Sequence, residues 1–238
     1  MTKSRTNHPA PFEFKPLGEA AVLLDFGNVI DLTINRQVHD RCRYIDSHPF
    51  PGFIETVPAY ASLAVFYDPV KASAAAQGKP AYQWVCEQLT VAGPLPTSGS
   101  RGNHIRIPVL YDGPDLNTLA ESRGLTVEEV VKLHSTVTYD AFMVGFLPGF
   151  AYLGEVDERI AVPRKASPRK SVPAGSVGIA GKQTGIYPMN SPGGWQLIGR
   201  TPLKMFDPQR PQPCLVQAGD RVQFEPITEQ QFLESNGH

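Results

Sequence analysis

Between residues 142 and 206 the chain concentrates glycine, proline, arginine and aromatic residues more densely than anywhere else. No long helix can run through such a stretch, because proline removes a donor and glycine costs backbone entropy. Short β-prone pieces at 177–180, 185–187 and 195–198 stand between turn signals at Pro148-Gly149, Ala174-Gly175 and Pro192-Gly193-Gly194. A flexible linker would be polar and poor in aromatics, whereas Phe, Tyr, Trp, Ile and Val persist between these breakers. The run therefore reads as tightly turned β structure with rigid loops, a common place for a binding surface.

With 238 residues the chain has room for one large domain or two small ones. Its formal net charge of −1 excludes a broad non-specific nucleic-acid footprint but not a local basic patch. Cys42, Cys86 and Cys214 are widely spaced and odd in number, which suits a reducing compartment and no metal site. The first ten residues are polar, and no apolar run approaches the roughly 20 residues of a membrane span. A cytoplasmic protein with no membrane partner is expected.

In the first half, 20–26 suits a buried strand, and Ile34, Val38, Cys42 and Ile45 mark one face of a helix from 33 to 48 that Pro49 ends. Strands are expected at 53–57 and 63–67, with a second helix over 80–89. This order predicts a small α+β sandwich, one sheet with helices on one face. His39 and His48 are expected to be solvated or capping groups, since no ligand cluster accompanies them. A Gly/Pro/Ser-rich boundary then divides the chain into an N-terminal domain (1–92), a linker (93–103) and a second domain (104–238).

In the second half, strands are expected at 104–111, 139–147, 214–216 and 221–224, and short helices at 115–122 and 228–233. Thr126 and Glu129 form a capping box that starts a helix over 126–135. Many short strands with few helices suggest a closed or nearly closed β-barrel.

Linked signatures in fixed order now identify a family. They are Gly145-Phe146-x-Pro148-Gly149-Phe150-x-Tyr152-Leu153-Gly154, Pro163-Arg164, Pro168-Arg169 and Val172-Pro173-Ala174-Gly175-Ser176-Val177. Gly181-x-x-Thr184-Gly185-Ile186-Tyr187-Pro188, Ser191-Pro192-Gly193-Gly194-Trp195 and Ile198-Gly199-Arg200-Thr201-Pro202 follow. Sparser matches (Gly18-x-x-Ala21-x-Leu23, Asn35-x-x-Val38-His39, Val57-Pro58-Ala59-Tyr60) extend the likeness over about 17–227. The chain resembles the 5-oxoprolinase B-subunit family, also described as allophanate hydrolase subunit 1 or the Kip histidine-kinase inhibitor family. One departure is a segment, 111–116, shorter than the family's Gly-rich version. The resemblance implies an α+β fold, an N-terminal α+β domain followed by a cyclophilin-like β-barrel.

It also implies an enzyme subunit that opens 5-oxoproline to glutamate with ATP, inactive alone and working with A- and C-type subunits. The alternatives it carries are an inhibitor of a sensor histidine kinase, or one half of a urea or allophanate enzyme. No biotin-attachment segment is identified on this chain, and no metal cluster or Gly-rich phosphate loop. ATP is therefore expected at a site shared with a partner. A lactam amide is resonance-stabilised, so its opening benefits from phosphoryl activation and from fixed cations or N–H donors facing the developing charge. Arg164, Arg169 and Arg200 are candidates for that role, whereas Lys165 and Lys170 are expected to be solvated. Gln183, Thr184, Tyr187, Ser191 and Trp195 are candidate pocket residues. His134, which matches a family histidine, is a candidate for proton transfer and Arg200 for catalysis.

Overall fold

The structure, a computed structural model, describes residues 12–29, 31–90 and 102–235. Contacts divide the chain into two units, Met1–Ser100 and Arg101–His238. Most of the expected linker (93–103) lies outside the described residues.

The first unit holds β1 (Glu13–Pro16), β2 (Ala21–Asp25), α1 (Leu32–Ser47), β3 (Phe53–Pro58), β4 (Ser62–Tyr67), α2 (Pro69–Ala75) and α3 (Ala81–Thr90). Its four strands form an antiparallel sheet in the order β1-β2-β4-β3. Alternation in β2 and β4 turns Val22, Leu24, Leu63, Val65 and Tyr67 to one face, which packs with Val38, Ile45, Val85 and Leu89 from the helices. Each such side chain, buried, is worth about 1.5–3 kcal/mol. Asp31 caps α1 by accepting from Ile34 N–H at 2.9 Å, and Asp68 caps α2 from Val70 and Lys71. Neither β1 nor α2 is expected from the sequence: one is a short edge strand, the other a two-turn helix opened by Asp68-Pro69, which reads equally as a turn. His39, expected at the surface or in a cap, is buried at 7% exposure, because its place four residues past the buried Asn35 puts it on the inward face of α1. His48 does cap: its N–H donates to Ile45 O.

The second unit holds β5 (His104–Val109), α4 (Leu116–Arg123), α5 (Val127–Ser135), β6 (Thr138–Val144), β7 (Ala151–Gly154), β8 (Arg169–Val172), β9 (Ser176–Ala180), β10 (Gln183–Ile186), β11 (Ser191–Gly193), β12 (Gln196–Arg200), β13 (Arg221–Pro226) and α6 (Glu229–Ser235). Seven strands make one sheet, β12-β9-β10-β7-β6-β13-β5, in which only β13 and β5 are parallel. The two edges meet where Leu110 and Arg200 exchange reciprocal backbone hydrogen bonds of 2.9 Å. Gly199 permits that approach, since a Cβ there would stand 2.6 Å from Leu110 O. A nearly closed barrel results, filled by Ile107, Val109, Leu153, Val177, Ile179, Ile186, Ile198, Val222 and Phe224. Strands β8 and β11 form a separate two-stranded ribbon.

The capping box forms as read: Thr126 Oγ1 accepts from Glu129 N–H, and the Glu129 carboxylate accepts from Thr126 N–H. The expected strand over 139–147 stops at Val144, where the chain turns with Phe146 at φ 68°. Residues 214–216 are not a strand. Cys214 makes one isolated bridge to Phe206, because β13 takes its partners from β5 and β6 instead of from a hairpin.

Candidate functional site

The chain between β5 and α4 is the key to the site. Gly113 lies so close to the β12 backbone that a Cβ would overlap Ile198 and Leu197 O. Gly113 N–H donates to Ile198 O (3.2 Å) and Asp115 N–H to Leu197 O (3.0 Å), which fixes the segment against the barrel edge. Two carboxylates are thereby placed opposite two arginines. Asp112 receives Arg200 Nε at 2.9 Å and Nη2 at 2.7 Å. Asp115 receives Arg169 Nη2 on both oxygens (2.6 and 2.7 Å), Lys165 Nζ at 2.9 Å and Leu197 N–H at 2.7 Å. Although Asp115 occupies the N-cap position of α4, its side chain makes no cap bond, being committed to these partners. Burial pushes the Asp115 carboxyl up, but the hydrogen bonds from Arg169, Leu197 N–H and Lys165 outweigh it and leave it below its ordinary value. Lys165, expected in solvent, is half of this arrangement.

Arg169 and Arg200 open onto one cleft of about 700 Å³. Pro114, Pro173, Pro188, Pro202, Leu203 and Phe232 give it stiff apolar walls, and Ser171, Ser176, Thr201 and Lys204 add polar groups. Arg200 lies over the Phe232 ring, 4.5 Å from its centroid, as a cation–π contact from α6. One wall turns at Pro173-Ala174-Gly175-Ser176, where Ser176 N–H donates to Pro173 O and Gly175 sits at φ 82°, the geometry of a type II turn. Any side chain at Gly175 would also press its Cβ to 2.5 Å from Thr201 O.

Behind Arg169 an aromatic cluster packs outside the barrel core. Phe150 is buried amid the rings of Phe146, Tyr152, Tyr187 and Trp195, with centroids 4.8–5.5 Å away. Arg169 Nη1 donates to Trp195 O at 3.3 Å, which ties the cluster to the cleft. Burial pushes the Tyr152 and Tyr187 hydroxyls up, and the exposed Arg164 guanidinium works against that rise at both. Phe146 itself is 63% exposed, a large apolar side chain held outward by left-handed backbone.

His134 stands elsewhere. It is fully buried, with Tyr111 Oη 2.7 Å from Nδ1 and Thr184 Oγ1 2.8 Å from Nε2, and its ring stacks on Phe224 at 4.4 Å. Thr184 Oγ1 donates onward to Gly178 O, so it accepts from His134 Nε2–H, and Nδ1 accepts from Tyr111. That chain assigns one tautomer. Burial lowers the His134 pKa to about 3, which keeps the ring neutral.

Of the residues singled out from sequence, Arg169 and Arg200 meet at the cleft, Tyr187 and Trp195 lie in the aromatic cluster behind Arg169, and His134 and Thr184 pair in the barrel core. Gln183 lies on β10 opposite Gly154 and Ala180, and Ser191 on β11, where its hydroxyl faces Pro192 O. Asp112, Asp115, Lys204 and Phe232 were missed. Asp115 lies 54 residues from Arg169, and nothing local in its Gly-Pro-Asp turn signals a distant arginine. Among the described residues, no group of three or more His, Cys, Asp or Glu could hold a metal ion. Nor is any described helix long and apolar enough to cross a membrane.

Comparison with known proteins places this architecture. The family model described as "Carboxyltransferase domain, subdomain C and D" matches residues 12–216. The chain is 44% identical over 230 residues to the B subunit of 5-oxoprolinase from Bacillus subtilis (strain 168), covering 93% of this chain and 95% of that one. It is 25% identical to a urea amidolyase of Lachancea kluyveri, over 96% of this chain but 14% of that protein. Among solved structures, the crystal structure of TTHA0988 aligns with a TM-score of 0.77 at 38% identity, over 87% of this chain and 40% of that one. The chain thus belongs to the carboxyltransferase-domain family of subdomains C and D, within the group that contains the 5-oxoprolinase B subunits.

Proposed function

We propose that this chain is the B subunit of an ATP-dependent 5-oxoprolinase, acting in the cytoplasm with A- and C-type subunits to open 5-oxoproline to glutamate. The observation that carries the reading is the nearly end-to-end match to curated 5-oxoprolinase B subunits. The cleft supports it chemically. Arg169 is held by the buried Asp115 and Arg200 pairs with the half-exposed Asp112 at the barrel edge, a concentrated positive field of the kind phosphate and developing oxyanions require. ATP, when bound, supplies phosphoryl activation of the lactam oxygen. This chain's own part is to orient anionic groups with Arg169, Arg200 and Lys204, while the proline and Phe232 walls offer apolar contact. His134, neutral and hydrogen-bonded at both ring nitrogens, is given the role of holding α5 and β10 in the barrel and not that of moving a proton.

The test is to purify the chain with its A- and C-type partners and measure ATP-dependent glutamate formation from 5-oxoproline. Activity that requires this chain is the expected result; full activity of the A and C proteins without it would overturn the reading. The urea amidolyase likeness favours a second reading, carboxyl transfer to a urea-type amide. Urea-dependent turnover with a biotin carboxylase partner, and none with 5-oxoproline, would select it.

A further inference from the structure

The cleft has more positive charge than its structure needs. Lys165, Arg169, Arg200, Lys204 and Arg210 pair at or behind its walls with only Asp112, Asp115 and Asp207, an excess of two cations. Among the described residues, Asp112 is the one carboxylate that lines it. Asp115 alone serves both Lys165 and Arg169, and it is buried with only 8% of its side chain exposed, so water screens the surplus charge poorly there. Three hydroxyl-bearing residues, Ser171, Ser176 and Thr201, face the same space. The remaining walls are apolar and stiff, and the volume of about 700 Å³ suits a small organic molecule.

We propose that this cleft is an oxyanion-binding site complete within the second unit, which takes the carboxylate or phosphate of a small organic acid whose apolar body rests on the proline and Phe232 walls. Arg200 and Lys204, 47% and 64% exposed at their side chains, are the more accessible cations, each paired with one carboxylate, Asp112 or Asp207, that a ligand would share or displace. Arg169 is fixed by Asp115 and supplies the standing field at the inner end. Guanidinium groups favour this chemistry because their planar N–H pairs match two oxygens of a carboxylate or phosphate. The proposal rests on the B-subunit reading, which gives this cleft the orienting of anionic groups, and deepens it by assigning the ligand class and by making binding here independent of a partner.

The experiment uses the full chain by itself at low salt. Inorganic phosphate, ADP and 5-oxoproline are titrated separately, followed by calorimetry and by backbone amide spectra. At least one probe is expected to saturate a single site with a Kd on the order of 1 mM or tighter. The double variant Arg200→Met/Lys204→Met should weaken it about tenfold or more, and Lys204→Met alone by about threefold. Lys182→Met removes the same charge away from the cleft lining and should change affinity less than about twofold. Phosphate and ADP binding without 5-oxoproline assigns a phosphate ligand; 5-oxoproline binding alone assigns a carboxylate; either supports the site. Saturation by none of the three, or equal weakening by Lys182→Met, overturns it. Glutamate formation in the complex is a separate readout, so this site and the B-subunit reading can fail independently.

Discussion

Two polar networks are built into the same barrel, and they obey opposite rules. The His134 network is sealed: Tyr111, His134, Thr184 and Gly178 O form one chain of donors and acceptors with the histidine fully buried. The Arg169–Arg200 network is charged, stands at an open cleft and pairs its cations with carboxylates. A sealed neutral network contributes mainly to stability, because an unmet buried group costs its full desolvation. An open charged one contributes little stability per pair but leaves field to spare for a ligand. Substitutions in the two should therefore split cleanly between folding and binding.

The largest effect falls in the sealed network. His134→Ala removes a buried ring stacked on Phe224 and leaves the Tyr111 hydroxyl without its acceptor. A loss of about 3–4 kcal/mol is expected. Urea unfolding followed by Trp195 fluorescence in a Trp84→Phe background reads the second unit alone, since the chain has two tryptophans, one per unit. An unchanged midpoint with abolished turnover would break the comparison and return His134 to the chemistry.

Asp115 combines the two characters, being charged but buried. Asp115→Ala leaves Arg169 and Lys165 facing each other and Leu197 N–H without an acceptor. Because both cations keep partial exposure, about 2–3 kcal/mol is expected, below the value for a wholly buried pair. The same urea midpoint checks it, and Asp115→Asn, which keeps the Leu197 bond, should recover about a third.

Acid should also separate the two regions. The folded pKa of His134, about 3, lies below the ordinary 6.5, so below pH 6.5 the unfolded chain binds a proton that the folded one refuses. The contribution is fully present above pH 6.5 and is lost as pH falls toward 3, at about 1.4 kcal/mol per pH unit. From pH 6.5 to 5 roughly 2 kcal/mol should disappear, and His134→Gln should flatten that slope. Asp115 acts later: its lowered pKa keeps its contribution intact until pH falls below the ordinary carboxylate range. A slope that survives His134→Gln would show that the sealed network does not control the acid limb.

How much of this was legible in the sequence follows the same division. Periodicity and local chemistry marked α1, α5 with its capping box, and β2, β4, β9 and β13, because those signals lie within a few residues. The two arginines stood out beside prolines and turns. Their carboxylates did not, since barrel closure brings Asp112 and Asp115 to residues 88 and 54 positions away, and that register is set by long-range backbone contacts of Leu110, Gly113 and Asp115 with β12. Thr184, read as a pocket residue, is fully buried against a histidine 50 positions earlier, which alternation in β10 permits but does not name. Phe146, exposed at positive φ, had no sequence signal beyond its place in a turn.

The smallest change sharpens the comparison most. Asp112 and Arg200 keep 39% and 47% of their side chains exposed, so their pair should add under about 1 kcal/mol to stability. Asp112→Asn is thus expected to leave the urea midpoint nearly unmoved. Its effect should appear in binding instead, because Asp112 competes with any anion for Arg200. Removing that carboxylate should raise oxyanion affinity about two- to fivefold at low salt, and the gain should fade near 1 M salt, where the screening length is about 3 Å. Weaker binding would mean that Asp112 aims Arg200 rather than competing for it, so that the open network, like the sealed one, depends on every hydrogen bond it makes.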